Sequence, residues 1–278
     1  MTQFENYLKY LKDKKLNRLT IKNYQFYLNR FFEFAKIKKP SDISLKKIQL
    51  FINYLSQLKV HYKTLNKATI NYHLIALRSF LKYLEIKKIK NIPSANEVKL
   101  EKIFRQPVTL TKLDLEKLLE APRKFNNPEI IKTRDKAILE LLFSTGLKVS
   151  KIAYLKIKNI DLVKNQITLA SRIFELSNQA KFWLKDYLKM RTDNIPSLFI
   201  SHDRASRLRN KPVNLSARSI QRLVEKYAKS VGLTKKVTPQ TLRQAYANKL
   251  LSQGLEVKEV QKKLGHKHIN TTNLIYKG

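Results

Sequence analysis

Three side chains near the end of the chain suit attack on a phosphodiester: Arg243, His266 and Tyr276. A guanidinium can grip a phosphate through two parallel hydrogen bonds. A phenol oxygen can serve as a covalent nucleophile. Arg243 lies in the run Val237-Thr238-Pro239-Gln240-Thr241-Leu242-Arg243-Gln244, His266 follows Leu264-Gly265, and Tyr276 stands two residues before Gly278. The chain has no cysteine, which excludes thiolate zinc sites, structural disulfides and a cysteine nucleophile. His61, His73, His202 and His268 have no ligand-like neighbours in sequence, so no metal site is expected.

Such chemistry needs a polyanionic substrate, and the charge balance fits one. The 278 residues carry 57 Lys and Arg against 21 Asp and Glu, a formal net charge of +36. Residues 1–104 hold 22 basic against 7 acidic side chains, and the remainder holds 35 against 14. A partner touched by both halves is expected, and nucleic acid is the default partner for so basic a protein. No signal peptide is evident after Met1, and no apolar run approaches the ~18 residues of a membrane span. The expected location is the cytoplasm, in association with the nucleoid.

The elements that must position these groups read mainly as helices. Apolar residues recur at three- and four-residue steps over 2–15, 19–38, 45–58 and about 67–88, with a polar loop around Lys63 and Asn66 before the fourth helix. The aromatic stripes on these helices read as packing. Lys63, Lys67 and Arg78, on polar faces, are the DNA candidates of this half. Weak periodicity with Pro93, Ser94 and several lysines predicts a linker over 93–106, between domains at 1–92 and 107–278. In the second domain, helices are expected at 112–121, 133–145, 149–155, 178–191, 216–231, 239–253 and 256–264. Gln166–Leu169 and Arg172–Leu176 alternate like strands of a small antiparallel hairpin.

Three segments carry a family resemblance. Thr238 to Leu251 resembles the second signature box of the tyrosine recombinases, the phage-integrase and Xer group. Val260-Gln261-Lys262-Lys263-Leu264-Gly265-His266, with Thr271, Thr272 and Tyr276 beyond it, resembles the segment that follows. Leu142-Phe143-Ser144-Thr145-Gly146-Leu147-Lys148-Val149-Ser150 resembles the first box, and residues 1–92 are similar to the family's core-binding domain. The resemblance implies a four-helix SAM-like domain followed by a mainly helical domain with a small sheet, the two clamping duplex DNA like a C. It implies that Arg243 and His266 hold the scissile phosphate and that Tyr276 forms a 3′-phosphotyrosyl link. Neither a metal nor another cofactor is implied. Self-association or a partner recombinase on DNA is implied as well.

The chain departs from the family pattern at several of these places. Lys148 stands where the first-box arginine is usual and keeps the charge without the planar fork. Gln240 replaces a histidine and donates hydrogen bonds without shuttling protons. Gln244 also stands where histidine is common. The family's hairpin lysine, which protonates the leaving oxygen, has no counterpart in Ala170-Ser171-Arg172, and Arg172 is the nearest cation. His266 and Tyr276 are ten positions apart where nine are usual. Loss of one transition-state donor costs about 10²–10³ in rate, and a general acid is worth about 10²–10⁴. Two expectations stay open: a recombinase or integrase with impaired cleavage through Tyr276, or a non-cleaving DNA-binding accessory or architectural relative. A chain that stops soon after the tyrosine also predicts weak cyclic assembly and a monomer in the absence of DNA.

Overall fold

A computed structural model of the chain describes residues 3–60, 62–103, 108–202 and 214–265. His61, His266, His268 and Tyr276 lie outside the described residues. The fold divides into two compact units, Met1–Arg105 and Gln106–Gly278.

The first unit is built on four helices: α1 (Gln3–Asp13), α2 (Arg18–Ala35), α3 (Leu45–Gln57) and α4 (Lys67–Ile86). Asn17, Ser44 and Asn66 cap α2, α3 and α4 by accepting a first-turn N–H, which satisfies donors a helix start leaves open. The apolar stripes converge on one core, including Leu28, Phe31, Phe51, Leu55, Leu77, Leu81 and Leu84. Several of its aromatic rings meet edge to face, Tyr7 on Phe80 at 5.2 Å and Phe31 on Phe51 at 5.1 Å, an arrangement their quadrupoles favour. The polar loop read from the sequence contains a short antiparallel pair, β1 (Lys59–Val60) and β2 (Lys63–Thr64). Strands of two residues are too short to show alternation.

Two features of this unit were hidden in the sequence. Residues 94–101 pack onto α4: Ala95 and Val98 join the core, and the Ala95 N–H donates to Glu85 Oε1 at 2.8 Å. The Asn71 amide brackets Glu101, donating to its carbonyl at 2.8 Å and accepting from its N–H at 3.0 Å. His73 is buried beneath Tyr27, with ring centroids 4.4 Å apart. Its Nδ1 lies 2.9 Å from the Thr69 carbonyl and its Nε2 lies 3.3 Å from Arg30 Nη1. A carbonyl only accepts and a guanidinium only donates, so the ring is neutral with its proton on Nδ1. Burial holds its pKa below the ordinary imidazole range, and the Arg30 charge pushes the same way, against the Thr69 bond.

The second unit follows as α5 (Lys112–Glu120), α6 (Glu129–Thr145), α7 (Val149–Ala153), β3 (Ile160–Asp161), β4 (Gln166–Leu169), β5 (Arg172–Glu175), α8 (Asn178–Met190), α9 (Ala217–Ser230), α10 (Pro239–Ser252) and α11 (Val257–Leu264). The antiparallel sheet has the order β3-β4-β5. β3 escaped the sequence reading for the same reason of length. α6 is the central helix and packs against α5, α8, α9, α10 and β5. It starts at Glu129, one turn before the expected start at 133, with Pro128 at the N-cap.

Because α6 is enclosed, it buries charge as well as Ala137, Ile138, Leu141 and Leu142. Asp135 accepts from Arg134 Nε at 2.8 Å and from the Tyr227 hydroxyl at 2.7 Å, while Arg134 Nη1 donates to the Ile200 carbonyl at 3.0 Å. Lys136 is 1% exposed and lies 2.7 Å from Glu120 Oε1 and 2.8 Å from Glu140 Oε1. Buried charges persist when they are paired and hydrogen-bonded in this way. No described helix is long and apolar enough to cross a membrane.

Candidate active site

The site is assembled around the guanidinium of Arg243. Thr238 caps α10 and Pro239 occupies its first turn, a position that needs no N–H and suits the fixed φ of proline. Arg243 then falls within the second turn, with 2% of its surface exposed. Its Nη2 donates to the Leu264 carbonyl at 2.9 Å, and its Nη1 donates to the Gly146 carbonyl. Both acceptors belong to helix C-termini, where carbonyls lack intrahelical donors and the helix dipole attracts a cation.

Those two contacts bring the three sequence segments together. Gly146 ends α6 in the left-handed region, with φ +57°. Its backbone is crowded as well: a Cβ there would lie 2.6 Å from the Tyr246 ring and 2.7 Å from Leu264 Cδ2. Only glycine meets both demands. Lys148, two residues on, is the exposed N-cap of α7. Leu264 is the last residue of α11, two before His266. Gln240 is exposed in the first turn of α10, whereas Gln244 is buried.

Arg172 does something the sequence did not disclose. The β4–β5 register pairs Leu169 with Arg172, leaving Ala170 and Ser171 as a two-residue turn. Both have positive φ, 41° and 60°, as a type I′ hairpin turn requires. Arg172 therefore belongs to β5, not to the turn. Its guanidinium lies over the Phe174 ring at 5.4 Å, and Nη2 donates to the Lys262 carbonyl. Gly265, with φ +71°, closes α11 against this guanidinium. Lys263 Nζ adds a contact at 3.4 Å to Glu175 of β5. The last turn of α11 is thus held by arginines from two elements, Arg172 from the sheet and Arg243 from α10.

The positions expected to meet DNA in the first unit are distributed differently. Lys63 is exposed on β2. Lys67 is exposed at the start of α4 and pairs with Glu101 at 2.8 Å. Arg78 is half-buried. Among the described residues, no group of three or more His, Asp or Glu side chains is placed to hold a metal ion. Sequence reasoning missed the carbonyl cradle of Arg243. Its one available signal was a glycine directly after each of two predicted helices, Gly146 and Gly265, which marks left-handed caps and hence terminal carbonyls without intrahelical donors.

Comparison with known proteins fits this geometry. Residues 4–88 match the phage integrase N-terminal SAM-like domain, and residues 108–277 match the phage integrase family. The chain is 34% identical over 290 residues to a tyrosine recombinase XerC of Thermodesulfovibrio yellowstonii, covering 99% of this chain and 90% of that protein. It is similar to the crystal structure of XerA recombinase, with 28% identity, a TM-score of 0.53 and coverage of 98% of this chain and 92% of that one. The Tn1549 transposon integrase in complex with circular intermediate DNA shares the fold, with a TM-score of 0.73 at 19% identity and coverage of 100% and 96%. With both units matched in order, the chain belongs to the phage integrase family of tyrosine recombinases.

Proposed function

We propose that this protein binds duplex DNA and slowly breaks and rejoins it through Tyr276. The observation that carries the reading is the placement of Arg243 where the ends of α6 and α11 meet, within two residues of Lys148 and of His266. In the first step the Tyr276 oxygen attacks phosphorus and gives up its proton. The bond from phosphorus to the 5′ oxygen breaks, and that oxygen leaves as a hydroxyl after taking a proton. The DNA 3′ end is then joined to Tyr276 through phosphate. Attack by a 5′ hydroxyl on this link restores a phosphodiester and frees the tyrosine, so no external energy source is consumed.

Each residue has a role in this scheme. Arg243 and His266 hold the scissile phosphate, and Lys148 adds charge as a point donor rather than a fork. Gln240 adds a hydrogen bond. Lys63, Lys67, Arg78 and Arg172 serve the DNA backbone. A slow rate is expected because a guanidinium seldom surrenders its proton, which leaves Arg172 a poor general acid beside the leaving oxygen. Its contact with the Lys262 carbonyl also favours the second reading, a DNA-binding relative that no longer cleaves. The partners in this reading are nucleoid DNA and, on it, either further protomers or a partner recombinase.

A nicked duplex that traps the covalent product separates the two readings. An adduct that forms with the protein and disappears in Tyr276→Phe supports cleavage. Tight duplex binding without any adduct at high protein concentration supports the non-cleaving reading.

A further inference from the structure

The β1–β2 hairpin presents an aromatic ring that the fold does not use. Tyr62, in the turn, is 100% exposed. Its φ is +64°, a backbone region that a bulky side chain seldom occupies. Such a residue persists only where its surroundings compensate the backbone strain. Glycine or asparagine would fill the turn at lower cost. The base of the hairpin is firm: Leu58 and Leu65 pack on the core, and the Leu65 N–H donates to the Leu58 carbonyl at 3.3 Å. The surroundings of the ring are basic and open. Lys59, Lys63 and Lys67 are all exposed, as is Val60 at 41%.

Resting on the DNA-binding reading above, we propose that this hairpin probes duplex DNA, with Tyr62 entering a groove and Lys59 and Lys63 on the flanking phosphates. A tyrosine ring has an apolar face for sugars and base edges and a hydroxyl that can stay wet. Lysines on both sides supply the sequence-independent attraction that holds the strand pair in register. The strained turn serves to project the ring beyond the helices. Lys67, exposed and paired with Glu101 at 2.8 Å, opens the helix that follows the hairpin.

The test uses the full chain and a fluorescein-labelled 30-base-pair duplex, followed by anisotropy across a salt series. Tyr62→Gly removes the ring and relieves the positive φ, so its Tm should equal or exceed that of the parent. Its affinity should nevertheless fall about tenfold, the order expected from losing the burial of one large side chain, with the salt slope unchanged. Tyr62→Phe should bind as the parent does. Lys63→Gln should instead flatten the slope by about 0.9, the loss of one phosphate contact. Affinity of Tyr62→Gly within twofold of the parent overturns the hairpin proposal while leaving DNA binding intact. A parent chain that does not bind duplex DNA overturns both.

Discussion

The two ends of α6 hold buried arginines in opposite ways. Near its start, Arg134 is locked to the Asp135 carboxylate, which also takes the Tyr227 hydroxyl. At its far end, Arg243 is held by the neutral carbonyls of Gly146 and Leu264. A carboxylate cancels the charge of the guanidinium it orients. Carbonyl oxygens orient the fork through dipoles that carry no net charge. The first arrangement is a structural clasp, closed within the protein. The second fixes the guanidinium against backbone from two helix ends, and in the proposed reading that preorganisation is what a phosphate would meet.

The comparison can be broken or sharpened in four ways. The largest effect belongs to the closed end. Asp135→Ala leaves Arg134 buried without its counter-charge and should cost about 3–5 kcal/mol in urea denaturation, with DNA affinity unchanged in whatever fraction folds. Next comes Arg243→Lys, which keeps the charge but loses the fork. Single-turnover adduct formation on the nicked duplex should slow about 10²–10³-fold, with a much smaller loss of stability than in Asp135→Ala. An unchanged adduct rate would make Arg243 a clasp like Arg134 and erase the distinction.

The cradle itself is the third target. Gly146→Ala combines a positive φ with a collision against Tyr246 and Leu264, and should cost about 1–3 kcal/mol. Gly232→Ala shares the positive φ but meets nothing within 4 Å. Thermal denaturation of both isolates the crowding, and equal losses would refute it. The smallest effect lies in the first unit. His73 is neutral in the fold, while the unfolded chain takes up a proton below the ordinary histidine value of about 6.5. Its contribution is therefore complete above that pH and is lost as pH falls through the ordinary value toward the depressed one. Tm between pH 7.5 and 5.5 should decline more steeply in the parent than in His73→Gln.

The helices were legible because their periodicity is local. α2 and α4 follow from apolar spacing and from the Asn17 and Asn66 caps, all visible within about twenty residues. The family boxes placed Arg243 on α10 as well. What stayed hidden depends on contacts between distant segments. Arg172 meets a carbonyl 90 positions away and Arg243 one 97 positions away, and no pattern along the chain encodes either. The charges of α6 were illegible for a related reason. A run such as Thr133-Arg134-Asp135-Lys136 looks like a solvated helix face until the surrounding elements enclose it. β1, β2 and β3 fell below the length at which alternation can be recognised.

The two arginines that grip the end of α11 also bear on how this part of the molecule opens. α11 has eight residues, four of them charged, and only Val260 and Leu264 are buried. A helix of that length is not stable by itself in water. Its persistence is borrowed from the sheet through Arg172 and from α10 through Arg243, so it should not fray independently of them. Amide hydrogens at its end, Val260 to Leu264, would then exchange together with those of β5 and the middle of α10, as one cooperative unit. Local opening there would release both guanidiniums at once, and with them the fixed starting point of the segment that leads to Tyr276.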